Sequence, residues 1–402
     1  MSALRRTYDV AVVGLGVLGS AAAWQLTRRG LRVIGLERHA VGHHLGASHG
    51  DWRIVRLTHR TPAHVRTAAL ADAGWAELEA GTGERLVART GGVDVFADGD
   101  DPAPLTASLD AAGIPFELLD AAESRRRWPG LAVPDDAGVL FQPAAGVVGA
   151  DRATAALRRR ALAQGAVLRG GAPVTGVLDT GDGVELRIGD GTEYRARHAV
   201  VAAGAWTDDV LAMLAAEYAD DRDVRGGAPW LGLTVTQEHV VHFAVDPGSH
   251  APGRFPTWSW RAGATYAGAP ELGEATVAVG RDSGGREVVP DGARVPDPEY
   301  VADVTSFVRT AIPGAGPAVR VTPVLSAATP DREVVLGSVP GHERVTVALG
   351  DAQGFAFAPW FGLVLAELLT GDRTSSPIGD YAPGRAALTG TGAWAEVRSW
   401  PG

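Results

Sequence analysis

The chain has 402 residues, of which 46% are hydrophobic and 21% charged, and its net charge is −10. This composition is typical of a globular protein with room for two domains, and an acidic balance without a basic tract argues against a nucleic-acid partner. No apolar run approaches the roughly 20 residues of a membrane span, and the first predicted strand starts too early for a signal peptide. We therefore expect a cytoplasmic protein with no nucleic-acid or membrane partner.

Cysteine and lysine are both missing from the chain. It has no cysteine, and all 37 basic residues are arginine. The first absence excludes disulfides, thiolate nucleophiles, cysteine-ligated metals and a cysteinyl link to a cofactor. The second excludes a lysine Schiff base and a lysine general base.

The N-terminal stretch predicts a strand, a helix and a second strand. Residues 9–13 (DVAVV) form an apolar, β-branched run that is typical of a buried parallel strand. An Ala-rich helix over 20–29 and an apolar strand over 31–36 follow. This order is that of a βαβ unit.

Three glycines and one carboxylate in this unit indicate that it binds a ligand. Gly14, Gly16 and Gly19 have the G-x-G-x-x-G spacing, which allows a tight turn, close approach of a pyrophosphate and close helix packing. The helix N-terminus attracts the phosphates. Glu37 ends the second strand, where a carboxylate binds both ribose hydroxyls and disfavours a 2′-phosphate. The unit predicts binding of FAD or NAD rather than NADP.

The next segment is rich in histidine and then basic. His43, His44 and His49 have no carboxylate cluster beside them, so we expect no metal and a loop along the cofactor. Arg53 and Arg56 are three residues apart, which predicts one face of a helical turn or short helix. Two fixed cations suit an anionic cofactor ring or a substrate carboxylate.

The middle of the chain alternates between helical and strand patterns. The predicted elements are a helix over 61–90, a strand over 89–96, a helix, strand and helix over 105–128, a helix over 152–164, strands over 174–178, 184–188, 200–202 and 231–243, a loop over 215–230, strands near 263–268 and 275–282, and a helix over 297–312. Ala203, Gly204 and Trp206 follow a buried strand, and such small residues permit close approach of a dinucleotide. Trp258 and Trp260 fit a substrate pocket or a core equally well.

A second anion or carbonyl site is predicted near the C-terminus. A strand over 333–337 precedes a strand, a turn and a long apolar helix within 343–371. Gly350 and Gly354 flank the turn, whose N–H groups lie at a helix N-terminus. Cofactor-binding pieces at both ends of the chain indicate a discontinuous cofactor domain with a substrate domain inserted in it.

The quoted motifs resemble one flavoprotein family. GLGVLGSAAAWQLTRRG…LER, SHGDWRIVR, VVAAGAW, TPDREVVLG and GDAQGFAF together are similar to the sarcosine oxidase and N-methyltryptophan oxidase branch of the D-amino-acid-oxidase-like (DAO) flavoproteins. The resemblance implies FAD and an α/β (α+β) fold, with a Rossmann-like, glutathione-reductase-type FAD-binding domain and a substrate domain built on a mainly antiparallel β-sheet. We expect the FAD domain over 1–88, 145–214 and 322–402, and the substrate domain over 89–144 and 215–321.

The resemblance also implies roles for individual residues. It places Arg56 on the substrate carboxylate, and His49 and Arg53 beside the flavin. The cofactor-binding residues that it implies are Gly14, Leu15, Gly16, Val17, Leu18, Gly19, Glu37, Arg38, Ser48, His49, Arg53, Val174, Ala203, Gly204, Trp206, Gly350, Ala352, Gln353, Gly354 and Phe355. The substrate pocket would include Trp52, Arg56, Trp258, Trp260, Ala278 and Ala356.

Departures from the family pattern are as informative as the matches. Val324 stands near the expected position of the cysteine that tethers FAD, which predicts non-covalent FAD. Ala278 and Ala356 stand where the family has lysines, one that assists the reaction with oxygen and one that helps hold the substrate carboxylate. Asp282 replaces an active-site histidine and would act as a catalytic residue with Arg56, Arg53 and His49.

These features predict an FAD-dependent oxidoreductase that converts the C–N bond of a small amine to an imine by hydride transfer to flavin N5. Oxygen or another acceptor would reoxidise the flavin. The missing cations favour a specialised tailoring enzyme acting on a secondary or cyclic amine. A flavin-dependent dehydrogenase, a desaturase or a net non-redox enzyme on a natural-product intermediate remains the alternative. A non-catalytic flavin subunit and an NAD-dependent dehydrogenase are more distant ones.

Overall fold

The computed structural model describes residues 6–215 and 230–389. The chain divides into two compact units. Unit 1 comprises Met1–His49, Ala150–Val235 and Ser326–Gly402, and unit 2 comprises Gly50–Gly149 and Thr236–Leu325. The first boundary therefore follows His49, whereas the sequence placed it after residue 88. The predicted loop over 215–230 lies almost wholly outside the described residues.

The strands, in chain order, are β1 (Arg6–Val13), β2 (Val33–Leu36), β3 (Arg53–Val55), β4 (Val87–Arg89), β5 (Gly92–Phe96), β6 (Glu117–Leu119), β7 (Gly138–Gln142), β8 (Gly146–Val148), β9 (Val167–Arg169), β10 (Val174–Asp179), β11 (Val184–Ile188), β12 (Glu193–Val201), β13 (Thr234–Ala244), β14 (Thr257–Ala262), β15 (Ala264–Ala269), β16 (Thr276–Arg281), β17 (Arg286–Glu287), β18 (Ala318–Ala328), β19 (Val335–Val339) and β20 (His342–Leu349). The helices are α1 (Val17–Arg28), α2 (Pro62–Thr82), α3 (Ala103–Ala111), α4 (Ala121–Arg127), α5 (Ala150–Ala163), α6 (Thr207–Ala215), α7 (Pro298–Ala311), α8 (Gly354–Thr370) and α9 (Ala386–Thr389).

Unit 1 is built on a sheet whose centre is parallel. The strand order is β10-β11-β12-β1-β2-β9, and β20 pairs parallel with β12 and antiparallel with β19. Strand β1 lies between β12 and β2, with Val12 beside both Val200 and Gly35. The predicted βαβ unit is confirmed, and the carboxyl end of β1 lies in the middle of the sheet, where open α/β sheets bind their ligands.

Two helices of unit 1 pack closely on each other. A Cβ added at Gly362 of α8 would lie 2.6 Å from the carbonyl oxygen of Ala21 in α1, so glycine is required at this crossing. The segment Asp351–Thr370 is long and apolar enough to cross a membrane by length and composition, but 67% of its most apolar window is buried inside the protein. We interpret α8 as a core helix of unit 1.

Unit 2 contains a nine-stranded, mainly antiparallel sheet. Its order is β17-β13-β16-β15-β14-β5-β7-β6, with β18 on β13, and β5 and β14 form a parallel pair. Apolar residues on one face of this sheet form a core with Tyr300, Val304 and Val308 of α7. A small sheet, β3-β8-β4, completes the unit. The predicted fold class, including the mainly antiparallel second sheet, is confirmed.

Some predicted elements are wrong in type or extent. Residues 53–55, predicted as helical, form strand β3, because the β-branched pair Ile54-Val55 pairs with Gly146–Val148. The helix predicted over 61–90 ends at Thr82, where Gly83 adopts a left-handed φ of 70°. Strands β14 and β18 were not predicted, since Pro-containing segments obscure their alternation.

Candidate functional site

Two glycines of the loop at the end of β1 cannot be replaced by any other residue. Gly14 has φ 94°, and a Cβ there would lie 2.5 Å from the carbonyl oxygen of Ala202. A Cβ at Gly19 would lie 1.9 Å from the carbonyl oxygen of Gly14. At these two positions β1, α1 and the residue after β12 approach each other too closely for any side chain. This is the close approach that a dinucleotide-binding turn requires.

Glu37 is tied to the same loop. Its Oε2 accepts a 2.9 Å hydrogen bond from the N–H of Leu15, and its Oε1 accepts one of 3.0 Å from the N–H of His39. His43 Nε2 lies 3.3 Å from Oε1. Burial alone would raise the pKa of Glu37, but the hydrogen bonds from His43, His39 and Leu15 outweigh it, and the pKa is lowered. A buried, ionised carboxylate thus stands beside the glycine turn.

The N-terminus of α1 lies against the loop that contains Ser48, near the end of the first segment of unit 1. Gly16 is the N-cap and makes no side-chain cap bond, and the N–H of Val17 donates a 2.9 Å hydrogen bond to Ser48 Oγ. A Cβ at Gly16 would lie 2.9 Å from that oxygen. The cradle that a Cβ would fill, the helix N-terminus and the Glu37 carboxylate together fit the pyrophosphate and ribose of FAD.

Aromatic and cationic side chains gather next to Glu37. Arg38 lies over the ring of Trp206 at 6.0 Å, and the rings of His39 and Trp206 are also 6.0 Å apart. Trp206 ends a 3-10 turn that starts at Gly204, directly after β12. His44 and His49 stack at 5.3 Å. The structure therefore brings several of the predicted cofactor residues of unit 1 around one loop.

Other predicted cofactor residues lie at strand and helix ends of unit 1. Val174, which starts β10, and Ala203 both pack against the apolar core of the sheet. Gly350 caps a 3-10 turn over Asp351–Gln353, and a Cβ on it would lie 2.1 Å from Gly354 Cα. Of the other predicted residues here, Leu15, Val17 and Phe355 are buried, Leu18, Gln353 and Ala356 are half-buried, and Ala352 is exposed.

In unit 2, β3 and the residues that follow it carry the predicted basic pair. Arg53 Nη1 donates a 2.7 Å hydrogen bond to the carbonyl oxygen of Trp52, and both residues are half-buried. Arg56 follows the strand and points to a different neighbourhood. The two arginines therefore do not share one helical face, and the helical prediction for this pair is wrong.

Arg56 forms an ion pair that the sequence analysis did not predict. Its Nη1 lies 3.2 Å from Asp94 Oδ1 and also hydrogen-bonds Ser259 Oγ. Asp94 is in the middle of β5, directly beside Ser259 of β14, and is 3% exposed. The sequence does contain a signal for this pair, because Asp94 is the single charged residue in the apolar run GVDVF. That run forms a strand that is buried along its whole length.

These three residues border a small pocket of about 210 Å³, which includes its opening to solvent. Six of its eleven lining residues have polar or charged side chains. The lining residues are Ile54, Arg56, Thr58, Gly92, Val93, Asp94, Gln142, Ala145, Thr257, Trp258 and Ser259. Within the described residues, Thr58 Oγ1, Gln142 Oε1 and Trp258 Nε1 are buried without a hydrogen-bond partner. An occupant with complementary polar groups would satisfy them.

The two tryptophans predicted as pocket residues lie mainly in the core. Trp258 and Trp260 pack against Phe307 of α7, with ring centroids at 5.9 and 5.6 Å. Alternate residues of a strand point to opposite faces, so Ser259 lies on the pocket side. Trp258 borders the pocket, whereas Trp260 lies in the apolar core of the sheet and does not line this pocket.

The structure also places the three positions at which the resemblance implies a different residue. Ala278 is buried and lies directly between His242 and Ala269 on neighbouring strands. Asp282 is exposed just after β16, where its N–H donates a 2.9 Å hydrogen bond to the carbonyl oxygen of Thr265. Val324 is half-buried in β18. Over residues 6–215 and 230–389, no group of three or more His, Cys, Asp or Glu side chains is placed to hold a metal ion.

The fold and the cradle of unit 1 define an FAD-dependent oxidoreductase. The family model for DAO, FAD dependent oxidoreductase, matches residues 9–368. The chain is 33% identical to monomeric sarcosine oxidase of Streptomyces avermitilis, over 95% of this chain and 98% of that one. It is 28% identical to N-methyl-L-tryptophan oxidase of Salmonella arizonae, over 90% and 94%. The chain therefore belongs to the DAO family.

Solved structures agree with this assignment. NikD, an unusual amino acid oxidase essential for nikkomycin biosynthesis, superimposes with a TM-score of 0.80 at 27% identity, over 95% of this chain and 98% of that one. L-Proline dehydrogenase from P. horikoshii has the same TM-score at 21% identity, over 94% of this chain and 98% of that one, which supports the fold alone. The predictions of the family, of FAD and of a sarcosine-oxidase-like oxidoreductase are confirmed.

Proposed function

We propose that this protein oxidises the C–N bond of a secondary or cyclic amine, or of an amino-acid-like substrate, to an imine. The observation that carries the proposal is the complete dinucleotide cradle in a chain that matches amine oxidases over nearly its whole length. Sarcosine and N-methyltryptophan, after which two relatives are named, are both secondary amines. Relatedness of this extent favours the same bond type.

The chain's own residues account for cofactor binding in this proposal. Gly14, Gly16 and Gly19 leave room for the pyrophosphate, and the Glu37 carboxylate accepts hydrogen bonds from the ribose hydroxyls. His49, Arg53 and the turn that starts at Gly350 would hold the isoalloxazine ring. Bound FAD would supply the two-electron acceptor that takes a hydride from the carbon next to the substrate nitrogen.

Residues of unit 2 would bind the substrate in this proposal. Arg56 would bind a polar group of the substrate and so fix the orientation of the C–H bond that breaks. An amine must be neutral to release a hydride, because its lone pair forms the C=N bond. Asp282, an exposed carboxylate, would accept the proton that the ammonium form loses. Starting from the ammonium form, loss of this proton and of one hydride gives the protonated imine, and these two losses account for both electrons and both hydrogens of the oxidation.

Non-covalent FAD and a biosynthetic tailoring role complete the proposal. The chain has no cysteine, so a cysteinyl flavin link is impossible. NikD, a structural relative, serves in the biosynthesis of a natural product. The absence of lysine at the two positions where the family resemblance implies one suits a specialised amine better than sarcosine.

A dehydrogenase or desaturase with slow oxygen reactivity is the second candidate. It is favoured by Ala278, where the family has a lysine that assists the reaction with oxygen. Burial, followed by the charge of Arg320, lowers the pKa of His242, which lies directly opposite Ala278. His242 is therefore neutral at pH 7, and it does not replace the missing positive charge.

Anaerobic mixing with amines tests the proposal. The purified yellow protein is mixed with a panel of secondary and cyclic amines, and absorbance near 450 nm is followed, which is about where any oxidised flavin absorbs. Bleaching by at least one amine is expected, and no bleaching by any would contradict the proposal. Admitting air separates the candidates, since fast recolouring indicates an oxidase and slow recolouring with fast dye reduction indicates a dehydrogenase.

A further inference from the structure

The pocket at Arg56 is not a simple anion site. Arg56 Nη1 is bound to Asp94 Oδ1 at 3.2 Å, and the Asp94 side chain is 4% exposed. A carboxylate that binds Arg56 would approach this buried negative charge. Two carboxylates that share one guanidinium repel each other strongly when water is excluded. The ion pair therefore works against an anionic occupant.

A second arginine does not leave the pocket positively charged. Arg261 Nη2 lies 3.9 Å from Asp94, and Arg261 Nε lies 3.9 Å from Asp100. Two arginines thus face two aspartates, and the group as a whole is neutral. Arg60 also acts on Arg261, but it is exposed, so solvent screens its charge. A neutral occupant suits this balance best.

The free hydrogen-bonding groups in the pocket specify what the occupant offers. Among the described residues, Asp94 Oδ2 accepts no hydrogen bond, and Gln142 Oε1 is buried without a donor. Both can accept N–H or O–H donors from a ligand. Arg56 donates through Nη1 to Asp94 and Ser259, and its Nη2 and Nε, which bond to no described residue, can donate to an acceptor on the ligand. The pocket therefore suits an occupant that both donates and accepts.

A carboxamide has this combination in one planar group. Its NH₂ donates two hydrogen bonds and its C=O accepts two. A carboxylate offers only acceptors and leaves Asp94 unsatisfied, whereas an ammonium offers only donors and faces Arg56. We propose that the Arg56–Asp94 pocket binds a carboxamide group of the substrate, so that the enzyme prefers amines bearing a neutral amide to the corresponding amino acids. This inference rests on the proposed amine oxidation and names its substrate class.

Binding of non-oxidisable analogues tests the pocket separately from the chemistry. The holoenzyme is titrated with 2-furamide and with 2-furoate, which differ in the amide and carboxylate groups alone, and the flavin absorbance change gives each Kd. We expect 2-furamide to bind about tenfold tighter or more, because one charge-assisted hydrogen bond separates the two ligands. Equal affinity, tighter binding of 2-furoate, or binding of neither would overturn the inference.

A variant assigns the preference to Asp94. Asp94→Asn keeps the size of the side chain and removes its charge, so the affinity for 2-furoate should rise and the preference should shrink or reverse. Asp303→Asn is the matched control, since Asp303 also pairs with an arginine, Arg281 at 3.1 Å, in the same unit. The control should keep the wild-type preference. An unchanged preference in Asp94→Asn would overturn the role of Asp94, and the wild-type titration stands even if this variant does not fold.

Oxidation of matched substrates separates this inference from the proposed function. L-Prolinamide and L-proline are compared as anaerobic reductants of the flavin, with sarcosinamide and sarcosine as a second pair. Reduction by the amides at lower half-saturating concentrations supports both claims. Tight binding of 2-furamide without reduction by any amine would contradict amine oxidation alone, and faster reduction by the acids would contradict the amide inference alone.

Discussion

The carboxylate of Glu37 is held 2.9 Å from the backbone N–H of Leu15, inside the glycine turn. One side chain thus joins the end of β2 to the turn that precedes α1. Glu37→Gln keeps the size of this group and removes its charge. Because a hydrogen bond to a charged group contributes about 1.5–3 kcal/mol, we expect FAD to bind roughly 10- to 100-fold more weakly. Titration of the apoprotein with FAD measures the change.

The control for this variant is a second buried glutamate of the same unit. Glu367 accepts hydrogen bonds from Ser375 and lies in α8. Glu367→Gln should leave the Kd for FAD unchanged, even if it lowers stability. Equal FAD affinity in Glu37→Gln and the wild type would show that the carboxylate does not bind the cofactor.

Gly19→Ala should abolish FAD binding and lower stability. The added Cβ would lie 1.9 Å from the carbonyl oxygen of Gly14, so α1 must move away from the turn. Gly379→Ala is the matched control, because a Cβ there meets no atom within 4 Å. Flavin content after purification and the thermal midpoint of unfolding check both variants. A Gly19→Ala protein with full flavin content would contradict this geometry.

FAD should leave the protein when the protein is denatured. With no cysteine in the chain, precipitation with trichloroacetic acid should release the yellow colour into the supernatant as free FAD. Chromatography of the supernatant identifies the released flavin. Colour that stays in the washed pellet would show a covalent link through another residue.

The folded protein should lose stability in acid, and His59 should account for part of this loss. This side chain is 6% exposed, and burial, followed by the charges of Arg56 and His64, lowers its pKa from 6.5 to about 3. Between these values the unfolded chain binds a proton that the folded protein does not. The free energy of unfolding therefore falls as the pH falls, by up to about 1.4 kcal/mol per pH unit from this residue.

Urea unfolding at several pH values between 7 and 4 checks this dependence. His59→Gln should reduce the slope of the free energy of unfolding against pH by up to the contribution of one proton. Other buried histidines, such as His242, should account for part of the slope that remains. Identical slopes for His59→Gln and the wild type would contradict the assignment.

The local pattern around β1 was predictable from sequence because each of its requirements is local. A buried strand, three glycines at fixed spacing and a carboxylate after the next strand lie within Asp9–Glu37, and the structure brings them together as that spacing implies. The helix end at Gly83 was missed, although a positive-φ glycine is an equally local signal. Within residues 9–37 only the ends of elements differ, by a few residues: the helix predicted over 20–29 spans Val17–Arg28.

The substrate pocket was not predictable in the same way, because its residues meet through pairing between distant strands. Asp94, Gln142 and Ser259 come from β5, β7 and β14, and only the sheet register places Ser259 beside Asp94 and Gln142 beside Gly92. Arg56 was found through family resemblance, but its partner was not. The domain boundary after His49 also depends on which strands pair, and no composition change marks it.

Single-turnover oxidation of an amine tests the central claim most directly. The holoenzyme is mixed anaerobically with an amine that bleaches it and, in parallel, with the same amine deuterated at the carbon next to nitrogen. If the protein oxidises a CH–NH bond, one imine, or the carbonyl compound from its hydrolysis, forms per FAD reduced, and deuterium slows bleaching severalfold. Bleaching without this product would contradict the account. So would a bleaching rate that deuterium leaves unchanged, if less than one equivalent of product forms.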